Sequence, residues 1–478
     1  MNLCAVILAA GRGKRMRSAK PKVLHELLGR PMLQHTVDTV KKLKPKKLVI
    51  VIGNGAGEVK DRIKDKSVSF VTQKKLLGTG NALLEAKKAL RDTKGCTIIV
   101  LNGDSPLTTP ATLKGFLNSH KRGGNDLSLL SFTDGSLSGY GRVLRGKQGN
   151  VISIVEDKHA TADQRRKCGE LNSGAYLMAP SIMKYLDKLK KHRLSGEFYL
   201  TDIVGLASKD GKKVRAYICP AEEVMGINNR AELHKATAIL NNRTVSRLMQ
   251  RGVTFIDPSS SIVHPSVRIG MDTVIYPNTC LEGSTSIGRD CVIYPGTRIC
   301  DSTIGNSVLI KDNTLIESSE VGSGSSIGPS AHLRPQSSIG RNVKIGNFVE
   351  VKKSIIGDRT RASHLTYLGD AVIGSNVNIG AGTITCNYNG QKKHITTIES
   401  NVFVGSDSQF IAPVKIGRGA YIAAGATITR DVPAGTLAIS RVDQKHLMDW
   451  IKTPAQKSGG KIKHKKKKPR GGKIADSS

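Results

Sequence analysis

Apolar residues in the first half of the chain come in short continuous runs, and stretches with helical periodicity separate these runs. The apolar runs are Leu3–Ala10, Lys47–Gly53 and Thr97–Leu101, and the helical stretches are Pro31–Leu43 and Gly80–Leu90. Continuous apolar runs that alternate with helices are typical of a parallel sheet covered on both faces. Such sheets bind ligands beyond the carboxyl ends of their strands, so the loops after these runs are the first candidates for a site.

From about residue 263 the pattern changes, and one aliphatic residue recurs at every sixth position. This six-residue series slips by one residue at a few points and is interrupted around 387–400. A period of six fits neither a helix nor a simple alternation, and it predicts a parallel β-helix in which short strands stack coil on coil. A narrow β-helix interior also explains why aromatic residues make up only 4% of the chain. The members of the series are Val263, Ile269, Ile275, Leu281, Ile287, Ile293, Ile299, Ile304, Ile310, Ile316, Val321, Ile327, Leu333, Ile339, Ile345, Val351, Ile356, Ala362, Leu368, Ile373, Ile379, Val404, Phe410, Ile416, Ile422 and Ile428.

The two patterns divide the chain into parts. We predict an α/β, Rossmann-like domain in residues 1–227, a linker helix in 228–250, a β-helix in 251–447 and a basic tail in 448–478. Residues 451–478 contain ten Lys or Arg and one Asp. A segment of this composition has nothing to pack, so we expect it to be disordered.

The charge of the chain narrows the choice of partners. The 478 residues include 74 Lys and Arg against 38 Asp and Glu, a net charge of +36. Such an excess favours anionic partners: nucleic acid, a membrane surface or phosphorylated small molecules. Specific nucleic-acid binding is disfavoured because the sequence shows no recognised module and few aromatic residues for stacking.

The eight cysteines and the first apolar run bear on the compartment. The cysteines are scattered, without CxxC pairs or zinc-ligand spacing, which is typical of a reduced, cytoplasmic protein. No charge precedes the run Leu3–Ala10 and the basic residues follow it. We therefore expect a buried first strand rather than a secretion signal, and no apolar run approaches the ~18 residues of a membrane span.

The turn after the first run is rich in glycine and in cations. The string LAAGRGKRM (residues 8–16) is followed by SAKPK (residues 18–22). Glycines let backbone N–H groups approach phosphate oxygens, and Arg15 and Lys22 can neutralise those oxygens. A GxG turn alone is a weak signal, since it is neither GxGxxG nor a P-loop; the whole string with its two cations is more specific.

An acidic residue follows the run at 97–101. Asn102, Gly103 and Asp104 stand there. A lone Asp in a turn is more often a local cap. At the carboxyl end of a strand, beside the glycine turn, Asp104 is also well placed to hold Mg²⁺ against triphosphate oxygens.

One histidine in the repeat region stands shortly before the interruption. His364 lies in the string ASHLTYLGD (residues 362–370), and TCNYNG (residues 385–390) marks the break. An isolated histidine is most often a surface or satisfied residue. Hexapeptide β-helices commonly belong to acyltransferases, but that association concerns the fold and not the chemistry.

Together these strings resemble the family of bifunctional N-acetylglucosamine-1-phosphate uridylyltransferases and glucosamine-1-phosphate N-acetyltransferases. The resemblance covers roughly residues 3–447. It implies an α/β Rossmann-like nucleotidyltransferase domain followed by a left-handed parallel β-helix of hexapeptide repeats, and a homotrimer formed through the β-helix. Further matching strings are LGTG (77–80), GYGR (139–142), IVE (154–156), LNSG (171–174), GEFYLTD (196–202) and GINNR (226–230).

For the N-terminal half the resemblance implies transfer of UMP from UTP to N-acetylglucosamine 1-phosphate, with release of pyrophosphate. It implies catalytic roles for Arg15 and Lys22, and Mg²⁺ ligation by Asp104 and Asn228. The residues implied at the nucleotide are Leu8, Ala9, Gly11, Lys22, Gln73, Gly78 and Thr79. The residues implied at the sugar are Asn102, Gly141, Glu156, Asn172 and Asn228.

For the C-terminal half the resemblance implies acetyl transfer from acetyl-CoA to glucosamine 1-phosphate. It assigns His364 as the general base that takes a proton from the amine, a task that suits a side chain that titrates near neutrality. The residues implied at the sugar phosphate are Arg334, Lys352, Tyr367, Asn378 and Lys393. The residues implied at acetyl-CoA are Ala381, Asn387, Tyr388, Ser406, Ala424 and Arg441.

Two positions in the first half of the chain depart from the family pattern. Asn102 stands where Tyr is usual, and Lys14 stands where Thr is often found.

An alternative interpretation is a nucleotidyltransferase whose β-helix is only structural or regulatory. The strings around His364 and at 385–390 argue against this alternative. In the main interpretation the product, UDP-N-acetylglucosamine, feeds peptidoglycan and related envelope glycans.

Overall fold

The structure is a computed structural model and describes residues 2–90, 95–134, 139–193, 195–448 and 450. The predicted disorder of the tail at 451–478 therefore lies outside the described residues. Among the described residues, no helix combines the length and apolar character that crossing a bilayer requires.

The first part of the chain folds around one mixed sheet. The strands of this part are β1 Leu3–Ala9, β2 Glu26–Leu27, β3 Arg30–Pro31, β4 Lys47–Ile52, β5 Val68–Thr72, β6 Thr97–Asn102, β7 Leu127–Thr133, β8 Arg142–Arg145, β9 Val151–Val155, β10 Glu170–Met178 and β11 Val214–Ile218. Within the described residues the strand order of the mixed sheet is β11-β7-β10-β6-β1-β4-β5, with β8 and β9 beside β10, whereas β2 and β3 form a separate hairpin. Strand β1 pairs in parallel with β4 and β6, and β10 runs antiparallel to β6 and β7.

Helices cover both faces of this sheet, as the continuous apolar runs predict. Alternate residues of β1 belong to two separate cores: Ile7 packs in the same core as Val37, and Val6 in the same core as Leu83. A strand buried on both faces needs apolar residues at every position. The α-helices are α1 Met32–Lys41, α2 Ala56–Arg62, α3 Thr79–Ala89, α4 Pro110–Arg122, α5 Ala162–Lys167, α6 Asp202–Lys209, α7 Ala221–Val224 and α8 Arg230–Met249, and the 3₁₀ helices are Lys14–Met16, Lys22–Leu24, Asp157–His159 and Pro180–Lys188.

The second part is a parallel β-helix with three faces, which confirms the fold predicted from the six-residue series. Within 254–438, all of which is described, successive coils add short strands to three faces of 11, 10 and 9 strands, and each strand pairs in parallel with its neighbour on the next coil. The first face contains β12 Thr254–Phe255, β15 Val274–Ile275, β18 Val292–Ile293, β21 Leu309–Ile310, β24 Ser326–Ile327, β27 Lys344–Asn347, β30 Arg361–His364, β33 Asn378–Ile379, β36 Phe403–Val404, β39 Tyr421–Ile422 and β41 Leu437–Ala438. The second contains β13 Ile262–Val263, β16 Cys280–Glu282, β19 Arg298–Cys300, β22 Leu315–Glu317, β25 His332–Leu333, β28 Glu350–Lys352, β31 Tyr367–Gly369, β34 Ile384–Cys386, β37 Gln409–Ile411 and β40 Thr427–Ile428. The third contains β14 Arg268–Ile269, β17 Ser286–Ile287, β20 Thr303–Ile304, β23 Glu320–Val321, β26 Ser338–Ile339, β29 Ile355–Ile356, β32 Ala371–Ile373, β35 Thr396–Ile398 and β38 Val414–Ile416.

Every member of the six-residue series is buried in the β-helix. The break that the sequence shows at 387–400 is shorter in the structure. Thr385 takes the inward position six residues after Ile379, and its hydroxyl bonds the backbone of Gly369, so a polar residue is tolerated there. Only the hairpin at 387–395 is inserted, because strand Thr396–Ile398 resumes the third face and buries Ile398.

Helix α8 joins the two parts and covers the first coil of the β-helix. Val245 and Leu248 belong to the β-helix core, whereas Ala236 belongs to a core of the sheet domain. The buried side chain of Asn241 bonds the first coil twice: Nδ2 donates to the carbonyl of Ser261 at 2.8 Å and Oδ1 accepts from the N–H of Val263 at 2.9 Å. Asn241 thus provides partners for two backbone groups at the end of the coil stack.

Replacing Asn241 with Ala should destabilise this junction by about 2 kcal/mol, because a buried donor and a buried acceptor both lose their partner. Calorimetric melting should show the loss, and hydrogen exchange of the peptide that contains Val263 should accelerate. Asn242→Ala is the matched control, since Asn242 is exposed on the same helix. Equal effects of the two substitutions would contradict the assigned role.

Candidate functional site

The loops after the parallel strands of the sheet domain meet at one edge. Gly11 follows β1, Gln73 follows β5 and Asp104 follows β6. Leu8 on β1 is the direct neighbour of Asn102 on β6. The parallel pairing therefore brings the glycine turn and Asp104 together, as expected for the carboxyl edge of such a sheet.

Three adjoining cavities of about 400, 270 and 530 Å³ open at this edge, and Leu8 and Asp104 line all three. All the residues predicted for the N-terminal half line one or more of them, so the structure brings the set together; their individual roles stay predictions. The predicted residues at the 530 Å³ cavity include Gly11, Gln73, Gly78 and Thr79. Those at the 270 Å³ cavity include Ala9, Arg15, Lys22 and Asn228. Those at the 400 Å³ cavity include Asn102, Gly141, Glu156, Asn172 and Asn228.

In the 270 Å³ cavity, two oxygen atoms from different loops contact the same cation. Nζ of Lys22 lies 2.5 Å from Oδ2 of Asp104 and 2.8 Å from Oδ1 of Asn228. The Lys22 ammonium thus stands in for a hard cation between a carboxylate and an amide oxygen. Mg²⁺ prefers such ligands and usually takes only one or two from the protein, because substrate phosphates and water supply the others. The residues present therefore fit Mg²⁺.

The motifs do not identify three side chains that support this cavity. Oγ of Thr201 donates to Oε1 of Glu156 at 2.8 Å, and the N–H of Asn228 donates to Oε2 of Glu232 at 2.6 Å. The Tyr140 hydroxyl accepts from the N–H of Gly226 at 3.0 Å, and burial raises the pKa of Tyr140. All three residues lie inside quoted strings or close after one, but the partners of Thr201 and Tyr140 are distant in sequence.

The buried amide of Gln73 has a defined orientation. Its Nε2 donates to the carbonyl of Gly78 at 3.1 Å and to Oδ1 of Asn81 at 2.8 Å. Both amide hydrogens are thereby used within the protein. The remaining oxygen, Oε1, offers only an acceptor at the cavity.

In the β-helix, His364 and most residues predicted at acetyl-CoA stand on one corner, between the first and second faces. Backbone bonds link this corner through successive coils: Leu365 N to Asn347 O, Gly382 N to Leu365 O, Asp407 N to Ala381 O and Gly425 N to Ser406 O. Arg441 closes the column with Nη1 on the carbonyl of Ala424 at 2.7 Å. The residues that this corner brings together are His364, Ala381, Ser406, Ala424 and Arg441.

The histidine at this corner has an oriented ring. Nδ1 of His364 lies 2.7 Å from Oδ1 of Asn347, its neighbour on the preceding coil. An amide oxygen only accepts, so the bond selects the tautomer of the neutral ring that has its hydrogen on Nδ1 and its lone pair on Nε2. Sequence reasoning misses Asn347, although counting one coil back from His364 along the six-residue series would have found it.

The residues predicted at the sugar phosphate are mainly on the second face and its far corner. Nη1 of Arg334 donates to Oε1 of Glu350 at 2.8 Å. The adjacent ammonium of Lys393 lowers the pKa of Lys352, and burial and Arg334 lower it further. Three cations that converge in this way favour an anion between them.

Four further predicted residues lie beside this cluster or apart from it. Nδ2 of Asn387 lies 3.5 Å from the hydroxyl of Tyr367 on the second face. Tyr388 is 59% exposed on the inserted hairpin. Asn378 stands apart, exposed on the first face above Arg361.

Family models match both parts of this architecture. Residues 5–190 match the MobA-like NTP transferase domain, residues 257–334 the GMPPB C-terminal domain, and residues 318–353 and 395–430 the bacterial transferase hexapeptide (six repeats). Among solved structures, a UDP-glucose pyrophosphorylase complexed with UDP-glucose matches at 19% identity with a TM-score of 0.42, over 50% of this chain and 97% of that chain.

Two curated relatives match almost from end to end. The bifunctional protein GlmU of Thermodesulfovibrio yellowstonii is 48% identical over 448 residues, which cover 94% of this chain and 98% of the relative. The bifunctional protein GlmU of Clostridium botulinum strain 657 is 43% identical over 449 residues, again 94% of this chain and 98% of the relative. The chain therefore belongs to the GlmU family of bifunctional enzymes.

Proposed function

We propose that the chain makes UDP-N-acetylglucosamine in two steps at two sites. The β-helix corner acetylates glucosamine 1-phosphate with acetyl-CoA, and the cavity at the sheet edge then transfers UMP from UTP to the product. The observation that carries the proposal is the grouping of the predicted residues: one set lines a single composite cavity, and most of the other lies on one face and its two corners. Both co-substrates are cytoplasmic metabolites, and we propose that the enzyme works in the cytoplasm.

At the sheet edge the acceptor phosphate oxygen attacks the α-phosphorus of UTP in line, and pyrophosphate leaves. The nucleophile is already anionic, so the chain needs no base and acts by positioning and by stabilising charge. Arg15 and Lys22 line the 270 Å³ cavity, where the phosphates of UTP bind in this proposal, and they neutralise the charge that develops there. Asp104 and Asn228 would hold Mg²⁺, which supplies further positive charge at the phosphate oxygens when bound.

Gln73 gives this cavity a basis for choosing uracil. Its free Oε1 accepts a hydrogen bond, and the ring N3 of uracil carries a hydrogen whereas that of cytosine does not. When cytosine occupies the cavity, its N3 has no hydrogen to donate, so the buried oxygen of Gln73 stays without a partner. A buried polar group left unpaired is the type of mismatch that costs the most binding free energy.

At the β-helix corner, Nε2 of His364 takes a proton from the ammonium of glucosamine 1-phosphate. The freed amine attacks the thioester carbonyl of acetyl-CoA, the carbon–sulfur bond breaks and the coenzyme leaves as a thiol. Asn347 holds the ring in the tautomer that leaves Nε2 as the acceptor. Arg334, Lys352 and Lys393 hold the phosphate, and the column from Ala381 to Arg441 lies along acetyl-CoA.

Asp104→Asn should lower uridylyl transfer by about 100-fold or more and leave acetyl transfer nearly unchanged, because it removes the carboxylate that would hold Mg²⁺ at the sheet edge and changes nothing in the β-helix. His364→Ala should lower acetyl transfer by about 100-fold or more and spare uridylyl transfer. Separate assays of the purified variants, one for pyrophosphate and one for free coenzyme A thiol, measure both. Loss of both activities from either change in a folded protein would rule out two independent sites.

Asn347→Ala should lower kcat of acetyl transfer by about 10- to 100-fold, with little change in KM for acetyl-CoA, because a supporting partner orients the base. Asn376→Ala is the control, since Asn376 is an exposed asparagine on another corner of the β-helix, bonded to Arg359. An unchanged kcat in Asn347→Ala would show that His364 does not need this bond.

We also propose that the β-helix forms a homotrimer. Large apolar side chains are exposed around the second face: Phe348, Leu365, Ile384, Ile395 and Ile411 are 42–62% exposed. Exposed apolar residues in such a group mark a surface that another chain covers. A trimer would also let a partner approach residues that stand apart in one chain, such as Asn378.

Replacing Phe348 and Leu365 together with Asp should dissociate the trimer, since it adds two charges to each chain at a surface that the trimer would bury. Sedimentation velocity measures the change from a trimer to a monomer. Acetyl transfer should fall with it, whereas uridylyl transfer, whose cavity lies in the sheet domain, should persist. A protein that sediments as a monomer before any substitution would exclude the trimer.

A further inference from the structure

A buried carboxylate, to which no role has been assigned, occupies the corner between the second and third faces. In successive coils this corner is formed by residues with left-handed backbone conformation. Those of the earlier coils are exposed, whereas Asp370 is only 7% exposed. Asn387, the first residue of the inserted hairpin, lies above it and shares its burial. The corner residues are Asp301, Ser318, Gln336, Lys353 and Asp370.

Asp370 contacts both ends of the hairpin. Its Oδ2 accepts from Nδ2 of Asn387 at 2.6 Å, and its backbone carbonyl accepts from the N–H of Thr396 at 3.2 Å. Nζ of Lys353, one coil below, lies 3.8 Å from Oδ1. A charged acceptor makes the bond to Asn387 stronger than a neutral pair would, and a buried carboxylate without partners would be costly.

The hairpin is braced by its own hydrogen bonds. The N–H of His394 donates to the carbonyl of Asn387 at 2.7 Å, and Nδ2 of Asn389 lies 3.0 Å from Nε2 of His394. Tyr388 and Lys393 pair across it as an antiparallel bridge. A hairpin with this many internal bonds moves as a unit, so its orientation depends on how its base is attached.

The position of Lys393 on this hairpin is electrostatically unfavourable without a ligand. Its ammonium lies beside that of Lys352, and this like charge lowers the pKa of Lys352. Two like charges would separate if the hairpin were free to tilt. Asp370 opposes this separation, because it holds the hairpin base and its N–H also donates to the carbonyl of Lys352 at 3.0 Å.

We propose that Asp370 is a positioning residue of the acetyl-transfer site, which fixes the hairpin so that Lys393 and Lys352 together meet the phosphate of the acceptor. The ligand class is a phosphate monoester, whose two negative charges match the two ammonium groups. This inference rests on the function proposed above for the β-helix. The competing role for Asp370 is that of a counter-charge to Lys352 with no effect on the hairpin.

The two roles predict opposite shifts in the titration of Lys352. If Asp370 holds the hairpin, Asp370→Ala releases Lys393, and the pKa of Lys352 rises towards its ordinary value. If Asp370 is only a counter-charge, its removal lowers the pKa of Lys352 further. The pH dependence of Lys352 acylation by an amine-reactive reagent, read by fragment mass spectrometry, distinguishes a rise from a fall; a fall or no change would overturn the proposal.

The kinetic test uses glucosamine 1-phosphate. Asp370→Ala should raise its KM at least tenfold with a smaller change in kcat, because binding is lost and His364 is untouched. Asp370→Asn, which keeps the volume and an acceptor oxygen, should give a smaller rise. Asp301→Ala, at the same corner four coils earlier, is the matched control and should leave KM unchanged. An unchanged KM in Asp370→Ala would also overturn the proposal.

Failure of this proposal and failure of the proposed function give different results. Uridylyl transfer and thermal melting report whether each variant is folded, and Asp370→Asn is used if Asp370→Ala does not fold. The titration of Lys352 needs no acetyl-transfer activity. A rise in the pKa of Lys352 in a protein that lacks acetyl transfer would support the role of Asp370 in holding the hairpin and reject the substrate assignment alone.

Discussion

Backbone hydrogen bonds between successive coils are the interaction on which the C-terminal half depends. Each coil places its corners directly above those of the coil before, so residues about one coil apart in sequence become neighbours in space. The His364–Asn347 pair, the column from Ala381 to Arg441, and the stack of Lys353, Asp370 and Asn387 all follow from this register. A shift by one residue would turn inward side chains outward, and the aliphatic series prevents it because each member would lose its burial.

Both sites hold cations around a phosphate position before the phosphate binds. At the sheet edge, Asp104 and Asn228 direct two oxygen atoms at one cation position, which the ammonium of Lys22 takes and which we propose for Mg²⁺. In the β-helix, Lys352 and Lys393 repel each other, and Asp370 attaches the hairpin that carries one of them. In both places an oxygen ligand fixes the position of a cation, so a bound phosphate meets groups that are already oriented.

The net charge of +36 suggests nucleic acid or membrane surfaces at first sight, but the structure points to small anionic substrates. Arg15 and Lys22 line the cavity at the sheet edge, and Arg334, Lys352 and Lys393 converge on the second face. Lys and Arg placed singly at defined points suit the recognition of one phosphate group. The scarcity of aromatic residues reflects the narrow interior of the β-helix, and it carries no information about the ligand.

The sequence by itself determined the fold class of both halves and most of the residues that meet in the two sites. Burial leaves a periodic pattern in the sequence, since a strand buried on both faces must be apolar throughout and a three-faced coil must bury one residue in six. Thr385 escaped that reasoning because its hydroxyl finds backbone partners inside the core. The inserted segment looked longer than it is because Ile398, a buried residue six positions before Val404, stands outside the aliphatic series. Only the tertiary structure decided that Asn347 orients His364, that Thr201 holds Glu156 and that Asp370 holds the hairpin. The reason is physical: a polar side chain acquires its role from the partner it meets, and that partner is set by how coils and strands stack, which no local pattern records.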